Sequence, residues 1–322
     1  MNISEMNSDD SNHLKDGVGE GSGFSFSFFD CDAAPSAQPS ASPAPLHRAV
    51  VPAQVVPSEP VDFYVGGEEG VDECALVSIE GLVLKRTTRP PSRFPEGFKA
   101  DHDVVSGKYE GGYKVWECSL DLVQYLGRVQ CSLGAPQQVL ELGCGQGFPG
   151  IAALQRFPSC RVVFSDLNAE VLQETTWRNI HLNAQDVSNV SPRVMCVAGD
   201  WSSLDTCAEL IDPVTGQPLQ FDLILSAETL YTAESTRALL ATISSRLAPN
   251  GCALLANKRY YFGLGGGTLE LEQQIQNLPR SATDPTLSMA VVQSVEDGQS
   301  NIRDIISLTV ARAACTVESI TT

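Results

Sequence analysis

The sequence is short of basic side chains: 21 Lys and Arg stand against 39 Asp and Glu in 322 residues, a formal charge of −18 with histidine neutral. Binding to naked nucleic acid by phosphate neutralisation needs a Lys/Arg face, so no direct nucleic-acid partner is expected. A basic protein partner, by contrast, would be steered favourably toward such a chain. There is no run of about 18 uncharged apolar residues, and no basic stretch followed by an apolar one near the start. Neither a membrane span nor a secretory leader is therefore expected. The ten cysteines form no Cys-x-x-Cys pair, which argues against a zinc ribbon or a small disulfide framework. His13, His47, His102 and His181 match no ligand spacing, so no metal is expected. The expectation is a soluble, monomeric chain with reduced thiols, cytoplasmic and/or nuclear. Its 43% hydrophobic content is ample for a large core.

Residues 1–60 read as a disordered acidic and proline-rich tail. An acidic Ser/Asp/Gly stretch precedes seven prolines between Pro35 and Pro60, and such composition buries too little apolar area to order itself. One island interrupts it, Gly23-Phe24-Ser25-Phe26-Ser27-Phe28-Phe29-Asp30, alternating as a strand or docking motif would. Residues 61–104 read as an N-terminal extension with a small strand element, and 105–322 as the main domain. There Trp116, Leu120, Val123 and Leu126 recur at helical spacing. Strand-like runs follow at 138–142, 161–165, 193–198, 221–226, 252–257, 289–295 and 304–310. Helical stretches separate the first five, notably 168–183 with Asn168 as N-cap, and 232–247 ended by Pro249-Asn250-Gly251. This alternation predicts an α/β, Rossmann-like, doubly wound seven-stranded sheet. The last two runs are separated only by turn residues, so the last strand is expected to be antiparallel.

The run Val139-Leu140-Glu141-Leu142-Gly143-Cys144-Gly145-Gln146-Gly147-Phe148-Pro149-Gly150 takes an apolar strand past an acid into a glycine loop. Gly143, Gly145 and Gly147 allow a sharp turn and leave no Cβ where a ligand must touch main chain. Gly145-x-Gly147-x-x-Gly150 also satisfies a dinucleotide pattern, with Asp166 near the offset of a ribose-binding acid. In that pattern, however, the first glycine closes the strand directly, whereas Gly143 already does so here. A P-loop lacks its Gly-Lys-Ser/Thr. S-adenosylmethionine carries no phosphate and needs carboxylates and aromatics instead. Asp166 ends the second strand and can accept two ribose hydroxyls. Gly199-Asp200-Trp201 ends the third, offering a carboxylate for an adenine amino group and an indole to stack on the purine. The fourth strand ends at Ser226. Each of these residues also has an ordinary structural reading, as loop acid, helix cap, core aromatic or strand terminus.

The run Glu110-Gly111-Gly112-Tyr113-Lys114-Val115-Trp116-Glu117-Cys118-Ser119-Leu120-Asp121-Leu122 resembles the protein-histidine methyltransferases, a family of seven-strand methyltransferases. Matching runs follow at Ser226-Ala227-Glu228-Thr229-Leu230-Tyr231 and at Asn257-Lys258-x-Tyr260-Tyr261-Phe262-Gly263-Leu264-Gly265-Gly266-Gly267. The likeness covers roughly 105–310, with a weaker echo in the Phe-rich island. The family often has Asp where Glu141 stands, and often a Pro within 174–179. The resemblance implies that Val115, Trp116, Glu117, Cys118 and Ser119 close over S-adenosylmethionine. Gly143, Asp166, Leu167, Asn168, Gly199, Asp200, Trp201 and Ser226 would complete that pocket. It also implies methyl transfer to a histidine of a large-subunit ribosomal protein, a basic partner that suits this chain's charge. Glu228 and Tyr231 form an acid-x-x-aromatic element like that of lysine methyltransferases on this fold, and are the candidate catalytic pair. Glu228 could accept an imidazole N–H or bind an ammonium, and Tyr231 could wall the channel. Lysine methylation, or a scaffold role in ribosome biogenesis with incidental catalysis, are the rival readings. Residues 263–267 are expected at the mouth of the site, as a flexible loop or as a plain turn.

Overall fold

The computed structural model of the chain describes residues 50–57, 74–79, 82–96, 98, 104–105, 107–129, 135–278, 286–298 and 301–311. The Phe-rich island, His13, His47 and His102 lie outside these residues. The elements in chain order are β1 (Gln54–Val56), β2 (Cys74–Ile79), β3 (Leu82–Thr87), α1 (Glu117–Arg128), β4 (Gln138–Leu142), α2 (Phe148–Arg156) and β5 (Arg161–Asp166). Next come α3 (Ala169–Val171), a π-helical turn (Leu172–Thr176), α4 (Trp177–Asn183), α5 (Val187–Val190) and β6 (Val194–Ala198). The remainder is β7 (Phe221–Ala227), α6 (Ala233–Arg246), β8 (Leu247–Lys258), α7 (Thr268–Gln276), β9 (Thr286–Val295) and β10 (Arg303–Ala311).

One sheet of eight strands runs in the order β1-β6-β5-β4-β7-β8-β10-β9. Strands β4 to β8 are parallel to one another, and β10 is the reversed strand between β8 and β9. The seven expected strands with an antiparallel last strand are thus present. The eighth is β1, which pairs antiparallel with β6 from within the stretch whose composition suggested a disordered tail. Its three residues carry no pattern of their own; the unpaired edge of β6 supplies the partner that composition cannot reveal. Pro249-Asn250-Gly251 was expected to break the chain between helix and strand, yet these residues lie inside β8. A register shift between Phe221 and Leu223 absorbs the extra residues as a bulge.

Two apolar layers sandwich the sheet. On one face α1, α2 and α4 contribute Leu122, Leu126, Phe148, Ile151 and Ile180 against Val139, Val162 and Phe164. On the other, α6 and α7 contribute Leu239, Leu240, Ile243 and Leu271 against Leu140, Ile224 and Leu255. Neighbouring side chains of a parallel strand thus feed opposite layers, as expected of strands buried on both faces. Arg246 is fully buried at the end of α6, and its guanidinium donates to Asp205 and to the carbonyls of Leu204, Leu210 and Leu219. Hairpin β2–β3 forms a separate two-stranded sheet whose backbone is tied to α4, with Asn183 exchanging hydrogen bonds with Lys85 and Asn179 accepting from Thr87. No described helix is long and apolar enough to cross a membrane.

Candidate active site

A cavity of about 340 Å³ opens at the carboxyl ends of β4, β5, β6 and β7, within the ~300–1,000 Å³ range of small-molecule sites. Its first wall is the glycine loop. Gly143 and Gly145 have φ of 66° and 48°, and a Cβ on Gly145 would stand 3.0 Å from the Gly112 carbonyl oxygen. A side chain there would therefore be both strained and crowded. Asp166, buried at the end of β5, accepts the Gly145 N–H at 2.9 Å and the Asn168 N–H at 3.2 Å. Burial pushes its carboxyl up to about 6, against the pull of those N–H donors. A carboxylate so placed still has lone pairs free for a pair of ribose hydroxyls.

The loop also decides between the two cofactor classes. Gly150, in the first turn of α2, donates its N–H to Glu141 Oε2 at 2.8 Å. A Cβ on Gly150 would fall 2.4 Å from Phe164 and 2.5 Å from Glu141. The third glycine serves packing, as it also does in dinucleotide sites, so the discriminating feature is the Glu141 carboxyl. A dinucleotide's pyrophosphate would need that helix N-terminus, which a protein carboxylate already occupies. Burial drives the Glu141 carboxyl well above the usual carboxylate range. An aromatic, carboxylate-lined cavity of this kind fits S-adenosylmethionine, which brings no phosphate.

The second wall is Asp200 and Trp201, after β6. Both line the cavity with Gly199, and Leu167 joins them from β5. Asp200 is engaged by the β1 strap: its N–H donates to the Val51 carbonyl at 2.9 Å and its carboxylate accepts the Val51 N–H. Val50 thereby becomes part of the lining, which no sequence pattern announced.

At the opposite end lie the acceptor-side residues. Glu228 follows β7 with φ of 56°, alone among described non-glycine residues in that region, a conformation that concentrates at functional positions. Asn257, fully buried at the end of β8, holds this turn by accepting the N–H groups of Thr229 and Leu230 at 2.8 and 2.9 Å. Glu228 Oε2 accepts the Tyr261 hydroxyl at 2.5 Å, while Oε1 is buried, lies 3.5 Å from Lys258 Nζ and has no hydrogen-bond partner. Burial, then the Glu228 charge, pushes the Tyr261 hydroxyl well above its ordinary value, so it stays a donor. Tyr231 donates instead to Glu110 at 2.7 Å, and Glu110 also accepts the Gly107 N–H. Trp116, at the N-cap of α1, donates its indole N–H to the Gly111 carbonyl and faces two ammonium groups, Lys114 at 4.5 Å and Lys258 at 5.6 Å from the ring centroid.

Of the residues expected around the cofactor, Trp116, Ser119, Glu141, Gly143, Gly145, Asp166, Leu167, Gly199, Asp200 and Trp201 line the cavity, as do Glu228 and Tyr231. The structure places the others behind it. Glu117 is exposed and pairs with Arg303 at 3.8 Å; Val115 packs against the core. Cys118 is fully buried, and burial followed by the Glu228 charge raises its thiol well above the ordinary range, so it is no thiolate nucleophile. Gly147 is the N-cap of α2. Asn168 occupies the N-cap position of α3 without capping it, because its amide donates to the Lys108 carbonyl at 2.6 Å. Ser226 donates to the Leu142 carbonyl at 2.7 Å and meets Thr229, tying β7 to β4.

Glu110, Gly111, Gly112, Lys114 and Thr229 are lining residues that sequence reasoning did not assign to the pocket. The first four stand in the Glu-Gly-Gly run that was itself conspicuous. In the Gly263–Gly267 stretch only Gly266 and Gly267 are packed, while Gly263, Leu264 and Gly265 are exposed. Gly267 donates to the Leu230 carbonyl at 2.8 Å, and a Cβ on Gly266 would fall 2.1 Å from that same oxygen. Beside it Phe262 is 85% exposed and stacks on Tyr260.

A family profile described as lysine methyltransferase matches residues 103–262. A histidine protein methyltransferase 1 homolog of Dictyostelium discoideum is 37% identical over 207 residues, 64% of this chain and 60% of that protein. The Rattus norvegicus homolog is 30% identical over 254 residues, 71% and 66% of the two chains. Histidine protein methyltransferase 1 of Schizosaccharomyces pombe is 31% identical over 224 residues, 61% and 65%. The chain thus spans 60% to 66% of the length of these three relatives. A protein-lysine N-methyltransferase of Mus musculus is less similar, 28% identical over 62% of this chain and 57% of that protein. Among solved structures, an N-methyltransferase of Bradyrhizobium japonicum WM9 in complex with S-adenosyl-L-homocysteine aligns with a TM-score of 0.42 and 19% identity over 61% of this chain and 89% of that one. The profile gives the broader methyltransferase class, and the histidine-enzyme relatives carry the assignment within it: the chain belongs to the histidine protein methyltransferase family.

Proposed function

We propose that this chain is an S-adenosylmethionine-dependent methyltransferase that methylates a histidine imidazole nitrogen of a protein substrate. Glu228 Oε1 carries the reading: it is a buried carboxylate oxygen on the cavity wall with no hydrogen bond. Its other oxygen is held by Tyr261, so Oε1 is left as the acceptor for an N–H that reaches it. An imidazole whose N–H meets that oxygen presents its other nitrogen as a lone pair. S-adenosylmethionine, when bound, supplies an electrophilic methyl on a sulfonium. Asp166, Asp200 and Trp201 would hold its nucleoside. The nitrogen–methyl bond forms as the sulfur–methyl bond breaks, and the ring takes the positive charge that sulfur loses. Glu228 then faces the developing imidazolium and accepts its remaining N–H. Transfer of this kind needs nucleophile and methyl about 3 to 3.5 Å apart and water excluded, so positioning does most of the work. Imidazole, with a reference pKa near 6.5, arrives largely neutral.

Lysine methylation is the second reading, favoured by the description of the matched profile. It would require an ammonium with pKa about 10.4 to lose its proton first, roughly 4.6 kcal/mol at pH 7. The charge of −18 suits a basic partner such as a large-subunit ribosomal protein, met in the cytoplasm or nucleus. The test incubates the protein with labelled S-adenosylmethionine and purified ribosomal proteins, then resolves methylated amino acids after hydrolysis. Labelled methylhistidine is expected. Label confined to methyllysine overturns the histidine assignment, and no transfer to ribosomal proteins overturns that substrate class.

A further inference from the structure

The acceptor end contains a cation that the reaction itself does not require. Lys258 closes β8, with its Nζ 3.5 Å from Glu228 Oε1 and a quarter of its side chain exposed. The ammonium lies over Trp116 at 5.6 Å and Tyr261 at 6.0 Å from the ring centroids. It is not among the lining residues, whereas Glu228 and Trp116, which it meets, are. Lys114, itself a lining residue, sits over the same Trp116 ring at 4.5 Å, so one indole meets two ammonium groups. The other groups on Glu228 are neutral, the Tyr261 hydroxyl and the Cys118 thiol, both held protonated by burial.

A bare buried carboxylate would attract an ammonium strongly. Here that charge is matched before any substrate enters. We infer that Lys258, by pairing with Glu228, makes the acceptor end select a neutral imidazole over a lysine ammonium. The inference rests on the methyltransferase reading above and deepens it by naming the residue that sets acceptor specificity. With the sulfonium in place, Lys258 and Glu228 cancel, and these three groups together carry one net positive charge. A neutral imidazole leaves that sum unchanged, whereas an ammonium raises it in a poorly solvated space. Glu228 keeps its acceptor lone pairs, because an ion pair at 3.5 Å leaves room for a shorter N–H bond to Oε1. Lys258 is thus a positioning residue acting through Glu228.

The experiment measures methylhistidine and methyllysine formed on purified ribosomal proteins by wild type, Lys258→Gln, Lys258→Arg and the double variant Lys258→Gln/Glu228→Gln. Lys258→Gln is expected to raise the methyllysine-to-methylhistidine ratio about tenfold or more, since the freed carboxylate now favours the ammonium. Lys258→Arg should keep the wild-type ratio, and the double variant should lose the methyllysine gain. A loss of overall turnover from damage alone moves both products together and leaves the ratio still. Stabilisation by S-adenosylhomocysteine in a thermal melt confirms that each variant is folded. Should Lys258→Gln fail that check, Lys258→Met is read in its place. Wild type forming methylhistidine with an unchanged ratio in the folded variant overturns the role of Lys258 alone. Wild type forming only methyllysine, or neither product, overturns the histidine reading and this inference with it.

Discussion

At the end of the cavity walled by β4 and β5, the acids are held by the connections next to them. Asp166 takes the N–H groups of Gly145 and Asn168, and Glu141 that of Gly150. At the far end three links join segments farther apart: Tyr231 meets Glu110, Tyr261 meets Glu228, and Asn257 holds Thr229 and Leu230. The two ends also treat buried carboxyls differently. Asp166 is raised to about 6, because burial outweighs its N–H donors. Asp304, under the base of the Tyr261 turn, is held below the ordinary value: burial pushes it up, but Arg259, Ser294 and Thr268 pull it further down. At one end burial outweighs the donors that hold the acid; at the other the donors and Arg259 outweigh burial beneath the turn that carries Tyr261.

Four measurements can break or sharpen this contrast. Asp166→Ala should weaken S-adenosylhomocysteine binding about a hundredfold to a thousandfold in calorimetry, the equivalent of about two hydrogen bonds to a charged group. An unchanged affinity would remove the nucleoside from that end. Glu228→Gln should lower turnover about a hundredfold while the same calorimetry shows cofactor affinity intact. Equal losses in both would mean that the two ends are one unit. Tyr261→Phe deletes only the hydrogen bond that fixes Glu228, and turnover should fall about tenfold. A matching fall for Tyr231→Phe would show that the Glu110 pair shares the task.

The smallest effect is in pH. The Asp166 carboxyl is half protonated near its value of about 6, so cofactor affinity should be about twofold lower at pH 6 than at pH 7.5, steepening below. The stability sign follows from the same shift. With a folded value above the unfolded one, the folded state binds more protons between about 4 and 6. Asp166 therefore destabilises the cofactor-free protein progressively as pH rises through that window. Denaturant melts across that range, with and without Asp166→Asn, check it.

Local pattern made the cofactor end readable. A strand, an acid and a glycine turn occupy a dozen consecutive residues, and acids recur at the ends of the next two strands. The spacing of side chains along β4, β5 and β6 places them at one sheet edge whatever the rest of the chain does. The partners of Asn168 and Ser226, the carbonyls of Lys108 and Leu142, are set by packing and leave no periodic trace in the sequence. The same holds for β1. Three residues without alternation become a strand only because β6 presents an open edge.

At the acceptor end the sequence showed that Glu110, Glu228, Tyr231 and Tyr261 belong to conspicuous runs, but could not pair them. Glu228 and Tyr231 are neighbours in sequence and partners in neither hydrogen bond. By itself the chain determined an α/β sheet, a glycine loop turned away from dinucleotides by its acids, and the strand ends where chemistry could sit, because hydrophobic period and turn chemistry are local properties. Only the tertiary structure decided which acid faces which hydroxyl, that Lys258 neutralises Glu228, and that the Gly266 backbone packs on Leu230. Those contacts join segments far apart in sequence, and their geometry exists only after the sheet has closed around its two layers of side chains.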